Sequence, residues 1–243
     1  MKNRFILTIC AVIITLVSCT ELQHLSETIL TESSVPEGLS NEDVIAGLKQ
    51  ALEIGAEQAA SLSSKADGFY KNDLIKIPFP EDAIKVKETA EQYGLGGQVE
   101  KFEMTLNRAA EEAAKQAAPI FVNAIKGMSV ADGFAILKGG NEAATTYLKE
   151  KTTAQLRAQF GPKVATAIET VELTKFWAPL ISKYNTVTLF SGGDQINPDL
   201  QDYITQKAID GLFVHVAQEE LKIRENPQAR VTDLLQKVFG SVE

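Results

Sequence analysis

The stretch from residue 197 to residue 239 constrains the fold of this chain most. It reads NPDLQDYITQKAIDGLFVHVAQEELKIRENPQARVTDLLQKVF, which predicts a long helix, a break at Asn226-Pro227 and a short closing helix. Asn197 and Pro198 are residue types that favour the N-cap and the first position of a helix. Large apolar residues and charged residues are interspersed along this helix, so one side of it is apolar. The shorter helices of the chain must cover that side. The stretch therefore predicts the packing centre of a helical domain.

Most of the chain before it also has apolar residues at helical spacing. Ser40 starts a predicted helix that runs to Ser63, and an alanine-rich segment from Gln98 to Met128 predicts a second long helix, which Pro119 should kink or split. Shorter helices are predicted over 81–93, over 130–138 after a cap at Ser129, after a cap at Asn141, from Thr152-Thr153, from Pro162 and over 176–184.

The chain has no segment with sustained alternation of apolar and polar residues, the pattern that strands require. Thr186 to Phe190 is the only strand-like piece and has no evident partner, and Leu189 to Ile196 reads as a loop. We predict an all-α fold: a single multi-helix domain with two long central helices and no significant sheet.

Prolines interrupt the segment after the first helix. Pro78 and Pro80 prevent a long helix there. We expect an ordered loop held by four apolar side chains, those of Phe69, Leu74, Ile77 and Phe79.

The N-terminus has the features of an export signal. A basic start with Lys2 and Arg4 precedes an apolar run that is too short for a typical membrane span. The run ends at Leu16-Val17-Ser18-Cys19 and resembles the lipobox of bacterial lipoproteins, which implies cleavage before Cys19 and attachment of a diacylglycerol to its sulfur. We expect a signal peptide over 1–18, a lipidated N-terminus and flexible tether over 19–39, and a helical domain over 40–243. A plain secretory signal is the alternative.

Composition limits the partners. Cys10 would leave with the signal and Cys19 would carry lipid, so the domain has no thiol for a disulfide or a metal site. Without Lys2 and Arg4 the chain has 22 basic and 32 acidic residues, a net charge near −10. An acidic chain without a basic cluster argues against nucleic acid. Membrane attachment would depend on the acyl chains.

The residue inventory lacks the common catalytic patterns. The chain has two histidines, His24 in the tether and His215 in mid-helix, so a multi-histidine metal site is excluded. There is no nucleophile elbow, phosphate-binding loop or dinucleotide fingerprint. We therefore predict no catalytic residue, no metal and no cofactor.

Six polar residues form the candidate site. They lie on or beside the apolar sides of the long helices and in the closing segment: Asn107, Arg108, Asp210, Glu220, Arg224 and Arg230. Arg224 follows Glu220 by four residues, the favourable order for an ion pair on a helix. One hypothesis is a polar pocket in which arginines bind an acidic ligand. The other is a network of structural ion pairs, which we favour because no nucleophile or metal site accompanies these residues.

Several short runs are similar to a known bacterial family. They are Asn107-Arg108-Ala109-Ala110-Glu111, Pro119-Ile120-Phe121, Ala135-Ile136-Leu137, Ala208-Ile209-Asp210-Gly211-Leu212-Phe213, Arg224-Glu225-Asn226-Pro227, and Arg230 with Thr232-Asp233-Leu234-Leu235. Over roughly residues 39–240 the chain resembles domain of unknown function 4197. The resemblance implies a helical, exported protein or lipoprotein and implies no catalytic residue.

We thus expect a lipid-anchored protein of the bacterial cell envelope, a non-enzymatic binding or scaffolding module. Its binding site would be a groove between the two long helices, and its partner an envelope protein or a small ligand. The alternative is an envelope hydrolase or a binder of small acidic ligands that uses the Asp/Glu/Arg pocket. Thr20 is not the aspartate associated with inner-membrane retention, so we expect the outer membrane, at its periplasmic or surface face.

Overall fold

A computed structural model describes residues 40–170, 173–192, 195–197 and 199–226. All regular structure in these ranges is helical, which confirms the all-α prediction. The elements are α1 (Asn41–Ser64), a 3-10 turn (Glu81–Ala83), α2 (Ile84–Gln92), α3 (Gly96–Ala114), α4 (Ala117–Lys126), α5 (Val130–Lys138), α6 (Ala143–Thr170), α7 (Leu173–Ser191) and α8 (Leu200–Glu225).

Helix α8 is the packing centre, as its sequence predicts. It contacts α1, α3 and α6 extensively. Ile204, Ala208 and Leu212 on α8 are fully buried, and the ring of Phe213 lies 5.7 Å from that of Phe121 on α4 in an edge-on contact. The apolar side of α8 is therefore covered by the helices that the sequence predicts to need such a surface.

Contacts between α1 and α8 show that the two helices are antiparallel. Gly55 on α1 lies against Ile223 on α8, and Ser63 near the end of α1 is hydrogen-bonded to His215. Residue numbers thus rise along α1 while those of the contacting residues on α8 fall. The end of α8 lies beside the middle of α1, and the first turns of α1 extend beyond it. The start of α8 lies about 39 Å away, the length of its 26 residues.

The predicted helix from Gln98 to Met128 is split, as expected from its proline. Helix α3 ends at Ala114 and α4 begins at Ala117. Pro119 is the third residue of α4, where a backbone N–H has no partner inside the helix. The proline therefore starts a new helix at little cost.

Helix α6 corrects the sequence prediction. New helices were predicted at Thr152-Thr153 and at Pro162, but one helix of 28 residues runs through both. Phe160 and Val164, on either side of the proline, are fully buried. Burial of this continuous apolar stripe offsets the backbone hydrogen bond that Pro162 cannot make, a cost of about 3 kcal/mol.

The region before α8 also differs from its prediction. Thr186 to Phe190 is helical and belongs to α7, so neither the strand-like assignment nor a loop from Leu189 is right. The N-cap of α8 is Asp199 rather than Asn197: the Asp199 carboxylate accepts from the Asp202 N–H at 3.1 Å. Asn197 instead accepts from the Asp199 N–H, at 2.9 Å, and forms the turn before the cap.

The loop after α1 is ordered and packed against the core. Phe69, Ile77 and Phe79 are buried as predicted, but Leu74 is 72% exposed and Ile75 takes the buried position. This correction reflects the turn at Asn72, whose side chain accepts from the Leu74 N–H at 3.1 Å.

An aromatic cluster joins this loop to α3 and α7. The Phe79 ring lies 4.6 Å from that of Phe102 and 5.6 Å from that of Trp177, and the last two rings are 5.0 Å apart. The loop is therefore a structural layer between the two helices.

The predicted signal peptide and tether, including Cys19, lie outside the described residues. No single helix of the described ranges combines the length and hydropathy of a membrane span. The segments Gly96–Lys126 and Val130–Lys138 meet that test only together, with a bend of 107° between them.

Candidate functional site

Glu220 is a buried carboxylate at the start of α6. Its side chain is 5% exposed. It accepts from the backbone N–H groups of Ala144 at 3.0 Å and Thr145 at 2.8 Å, and from the Thr145 hydroxyl at 2.8 Å. These two N–H groups belong to the first turn and have no partner inside the helix. Glu220 thus supplies the cap of α6 that the sequence analysis assigned to Asn141.

Arg224 completes this arrangement at the end of α5. Its Nε and Nη2 atoms donate to Glu220 at 2.9 and 2.8 Å, and Nη2 also donates to the Ile136 carbonyl at 2.9 Å. The anion meets the positive N-terminus of α6, and the cation meets the negative C-terminus of α5. We call Glu220 and Arg224 the helix-end clamp, since they hold the corner between α5 and α6.

The helix-end clamp leaves no room for a ligand. The cavity beside Glu220 and Arg224 has a volume of about 10 Å³, which is space for one water at most. Both carboxylate oxygens already accept hydrogen bonds. The geometry is that of a structural ion pair.

Asn107 on α3 holds the loop after α1. It is fully buried. Its Oδ1 accepts from the Ile77 N–H at 2.8 Å, and its Nδ2 donates to the Ile77 carbonyl at 2.8 Å. Nearby on α3, Glu111 accepts from the N–H groups of Phe69 and Tyr70 at 3.1 and 3.2 Å. Together with Arg108, these residues form what we call the loop clamp.

Arg108 positions Glu111 within the loop clamp. Its guanidinium donates to Glu111 at 2.6 Å and to Asp67 at 2.5 Å. The bond to Glu111 is the main cause that raises the pKa of Arg108 above its usual value. The pKa of Asp67 is lowered, first by its bond to Lys71 and then by Arg108. Asp67 also has a positive φ of 66°, at the turn that ends α1.

The five predicted site residues that the structure describes do not converge on one pocket. Asn107 and Arg108 belong to the loop clamp, and Glu220 and Arg224 to the helix-end clamp. Asp210 is exposed and accepts from Gln206 at 2.9 Å. Arg230 lies outside the described residues. The described positions thus divide into two clamps and one surface residue.

His215 lies in a buried chain of hydrogen bonds that resembles a catalytic triad in composition. Its Nδ1 is 2.8 Å from the Ser63 hydroxyl and its Nε2 is 3.0 Å from Asn72 Nδ2. The Oδ1 atom of Asn72 accepts from the Leu74 N–H, so the group of Asn72 that faces His215 is its Nδ2 donor. The Nε2 atom of His215 must therefore accept. The ring proton then lies on Nδ1, which donates to the Ser63 hydroxyl.

This proton arrangement is the reverse of the one that activates a nucleophile. A general base must accept the serine proton, whereas here the histidine donates, and Ser63 is fully buried. Burial lowers the pKa of His215, which favours the neutral ring. His215 therefore joins α1, α8 and the loop through hydrogen bonds.

The described residues also contain an apolar groove between α2 and α7, with a volume of about 490 Å³. Its lining is mainly apolar, and we call it the α2–α7 groove. It is lined by Lys85, Val86, Thr89, Ala90, Tyr93, Leu95, Lys183, Tyr184 and Val187. Within the described ranges, no three His, Cys, Asp or Glu side chains lie close enough to hold a metal ion.

Comparison with known proteins identifies the family. The family model described as protein of unknown function (DUF4197) matches residues 38–240. The chain belongs to the DUF4197 family. No curated protein and no solved structure matches this DUF4197 chain. The matched range agrees with the extent of the resemblance seen in the sequence and includes all the described helices.

Two features of this DUF4197 domain are not predicted from its sequence. The partners of His215 come from α1 and the loop, and no local pattern links them. The α2–α7 groove was missed because Val187 lay in the segment assigned as strand-like. Val187 follows Lys183 by four residues, and this helical spacing of an apolar residue is the sequence signal for the α2–α7 groove.

Proposed function

We propose that this DUF4197 protein is a non-enzymatic binding module of the bacterial cell envelope, anchored by lipid at Cys19, and that it binds its partner in the α2–α7 groove. The observation that carries the proposal is the groove itself. It is concave, mainly apolar and open to solvent, and its volume of about 490 Å³ falls within the range of about 300–1,000 Å³ typical of ligand sites.

The placement of the polar residues supports binding over catalysis. A hydrolase would need a carboxylate or histidine able to reach a substrate. Glu220 and Glu111 are buried and hydrogen-bonded to the fold. His215 borders a second pocket of about 420 Å³, but its ring is buried and both of its nitrogens are hydrogen-bonded. Asp210 is exposed and lines neither this pocket nor the α2–α7 groove. The helices that the sequence analysis placed around a groove, now α3 and α8, pack against each other. We therefore assign the binding surface to the α2–α7 groove.

The anchor is tested by substituting its acceptor. Cys19→Ala removes the thiol that would carry the diacylglycerol, so the protein should lose labelled fatty acid and move to the soluble fraction. Membrane fractionation after metabolic labelling measures both effects. Continued membrane association of the unlabelled variant would contradict the anchor.

The groove is tested by photo-crosslinking in intact cells. A photoreactive amino acid at position 93 replaces Tyr93, which is 80% exposed on the groove wall. The matched control carries it at position 74, where Leu74 is 72% exposed on the loop outside the groove. We expect a discrete adduct from position 93 that is absent from position 74.

A second substitution makes this test specific. Val187→Asp places a charge in the groove at a position that is 66% exposed, so the fold should tolerate it. It should remove the adduct formed at position 93. An adduct that survives Val187→Asp, or no adduct at all, would refute binding in the groove.

A further inference from the structure

The two helices that border the α2–α7 groove pack mainly on other helices. Helix α2 packs mainly on α3, and α7 packs mainly on α6. The cluster of Phe79, Phe102 and Trp177 lies where the two helices begin. The groove is therefore a channel between neighbouring helices with a packed aromatic layer at one end.

The groove has a direction. Trp177 near the start of α7 contacts Phe79 just before α2, so this contact lies near the start of both helices, and both then line the groove. Lys85 and Lys183 each follow the contact by six residues and lie near that end of the groove. Tyr93 and Val187 lie further along. One end of the groove is thus cationic and the other apolar.

The apolar end is unusually exposed. Tyr93 is 80% exposed, Leu95 45% and Val187 66%. Phe190, one helical turn after Val187 and therefore on the same side of α7, is 86% exposed. Contiguous exposed apolar groups of this kind mark binding sites, since their burial by a ligand is favourable.

The cationic end of the groove is formed by two lysines. Lys85 and Lys183 are the only charged residues among the described ones that line the groove, and neither is in an ion pair with a described residue. The chain as a whole has a net charge of −8. Two ammonium groups with no ion pair to a described residue, at one end of an apolar channel on an acidic protein, complement an anion with an apolar tail.

We infer that the α2–α7 groove binds a medium-chain fatty acid in its carboxylate form. The carboxylate lies between Lys85 and Lys183, and the acyl chain extends along Val86 and Ala90 toward Tyr93 and Val187. This inference rests on the proposed binding function and specifies its ligand. An acidic protein segment is the competing occupant, and the test below separates the two.

The probe is dodecanoate, titrated against the full chain carrying Cys19→Ala so that no attached acyl chain competes. Isothermal titration calorimetry should show saturable binding below the micelle-forming concentration. Shortening the chain should weaken binding by about twofold to fourfold per methylene, since each buried methylene contributes and the groove is partly open.

Two pairs of variants test the two ends of the groove. Replacing both lysines with glutamine should weaken dodecanoate binding about fivefold, as exposed charge pairs imply, and leave the binding of neutral dodecanol unchanged. Lys163→Gln, an exposed lysine on α6, is the control and should have no effect. Val187→Asp should abolish binding, whereas Leu74→Asp should not.

Failure of dodecanoate to bind, or equal binding by the Val187→Asp variant, would overturn the inference. If dodecanoate fails while crosslinking from position 93 still yields an adduct that Val187→Asp removes, the ligand class is wrong and the binding function stands. If both experiments fail, the groove has no binding role.

Discussion

Arg224→Met tests whether the helix-end clamp is a structural ion pair. The substitution keeps an unbranched apolar stem and removes the guanidinium. The Arg224 side chain is 15% exposed, and that of Glu220 beside it is 5% exposed. Glu220 loses two charged donors, and the Ile136 carbonyl at the end of α5 loses its bond. A buried carboxylate is then left without its counter-charge.

The magnitude follows from what Glu220 retains. Breaking a buried ion pair costs about 3–5 kcal/mol. Glu220 keeps three donors, from Ala144 and Thr145 at the positive end of α6, so we expect the lower part of that range, about 3 kcal/mol. For a domain of this size, 1 kcal/mol corresponds to roughly 2–4 °C in Tm. The Tm should therefore fall by about 6–12 °C.

Urea unfolding measures this loss directly. Trp177 is the single tryptophan and is buried in the aromatic cluster, so its fluorescence reports unfolding of the whole domain. The matched control is Arg157→Met. The Arg157 side chain is 44% exposed and pairs with Asp202, which is 63% exposed. An exposed pair contributes less than about 1 kcal/mol.

A double-mutant cycle with Glu220→Gln completes the test. Each single variant leaves one charge without its partner, and the double variant leaves neither. The double variant should therefore lose about 2 kcal/mol less free energy of unfolding than the sum of the losses of the two single variants. If Arg224→Met costs no more than Arg157→Met, or if the cycle shows no coupling, the helix-end clamp is not a buried ion pair.

Three further predictions concern the core. His215 has a lowered pKa, so below its ordinary value of 6.5 the unfolded chain binds a proton that the folded chain does not. The free energy of unfolding should therefore fall as the pH drops below that value, by at most about 1.4 kcal/mol per pH unit. If the free energy of unfolding depends on pH equally in the wild type and in His215→Gln, the prediction is wrong. Asn107→Ala leaves two buried backbone groups of the loop unpaired and should cost about 2–4 kcal/mol in urea unfolding, with faster proteolysis of the loop; unchanged stability would exclude the loop clamp. Gly211→Ala places a methyl group 2.6 Å from the buried ring of Phe69 and should lower the Tm despite better helix propensity. Gly97→Ala, with open space around it, is the control and should not lower the Tm.

Local chemistry decided the features that the sequence predicts correctly. The cap at Ser129 depends on residues three apart, and both of its bonds with Asp132 are present in the structure. The split near Pro119 follows from the missing N–H of proline. These interactions close within one turn of helix, so the residues that determine them are visible together in the sequence.

The candidate site could be predicted only in part. Glu220 and Arg224 are one turn apart, so their pairing follows from helical spacing. Their other partners, on α5 and α6, are more than 70 residues away in the chain. No spacing rule shows that a carboxylate on α8 caps α6, since a cap from another helix depends on how the helices pack.

The amino-acid sequence by itself determined that the domain is all-α, that its last long helix is the packing centre, and which family it belongs to. The tertiary structure decided where helices continue and which polar residues meet. Helix α6 passes through Pro162 because its buried stripe offsets a local cost. Local propensities amount to about 1 kcal/mol per residue or less, whereas burying one large apolar side chain contributes about 1.5–3 kcal/mol. Where the two conflict, packing prevails, and packing also forms the groove between α2 and α7.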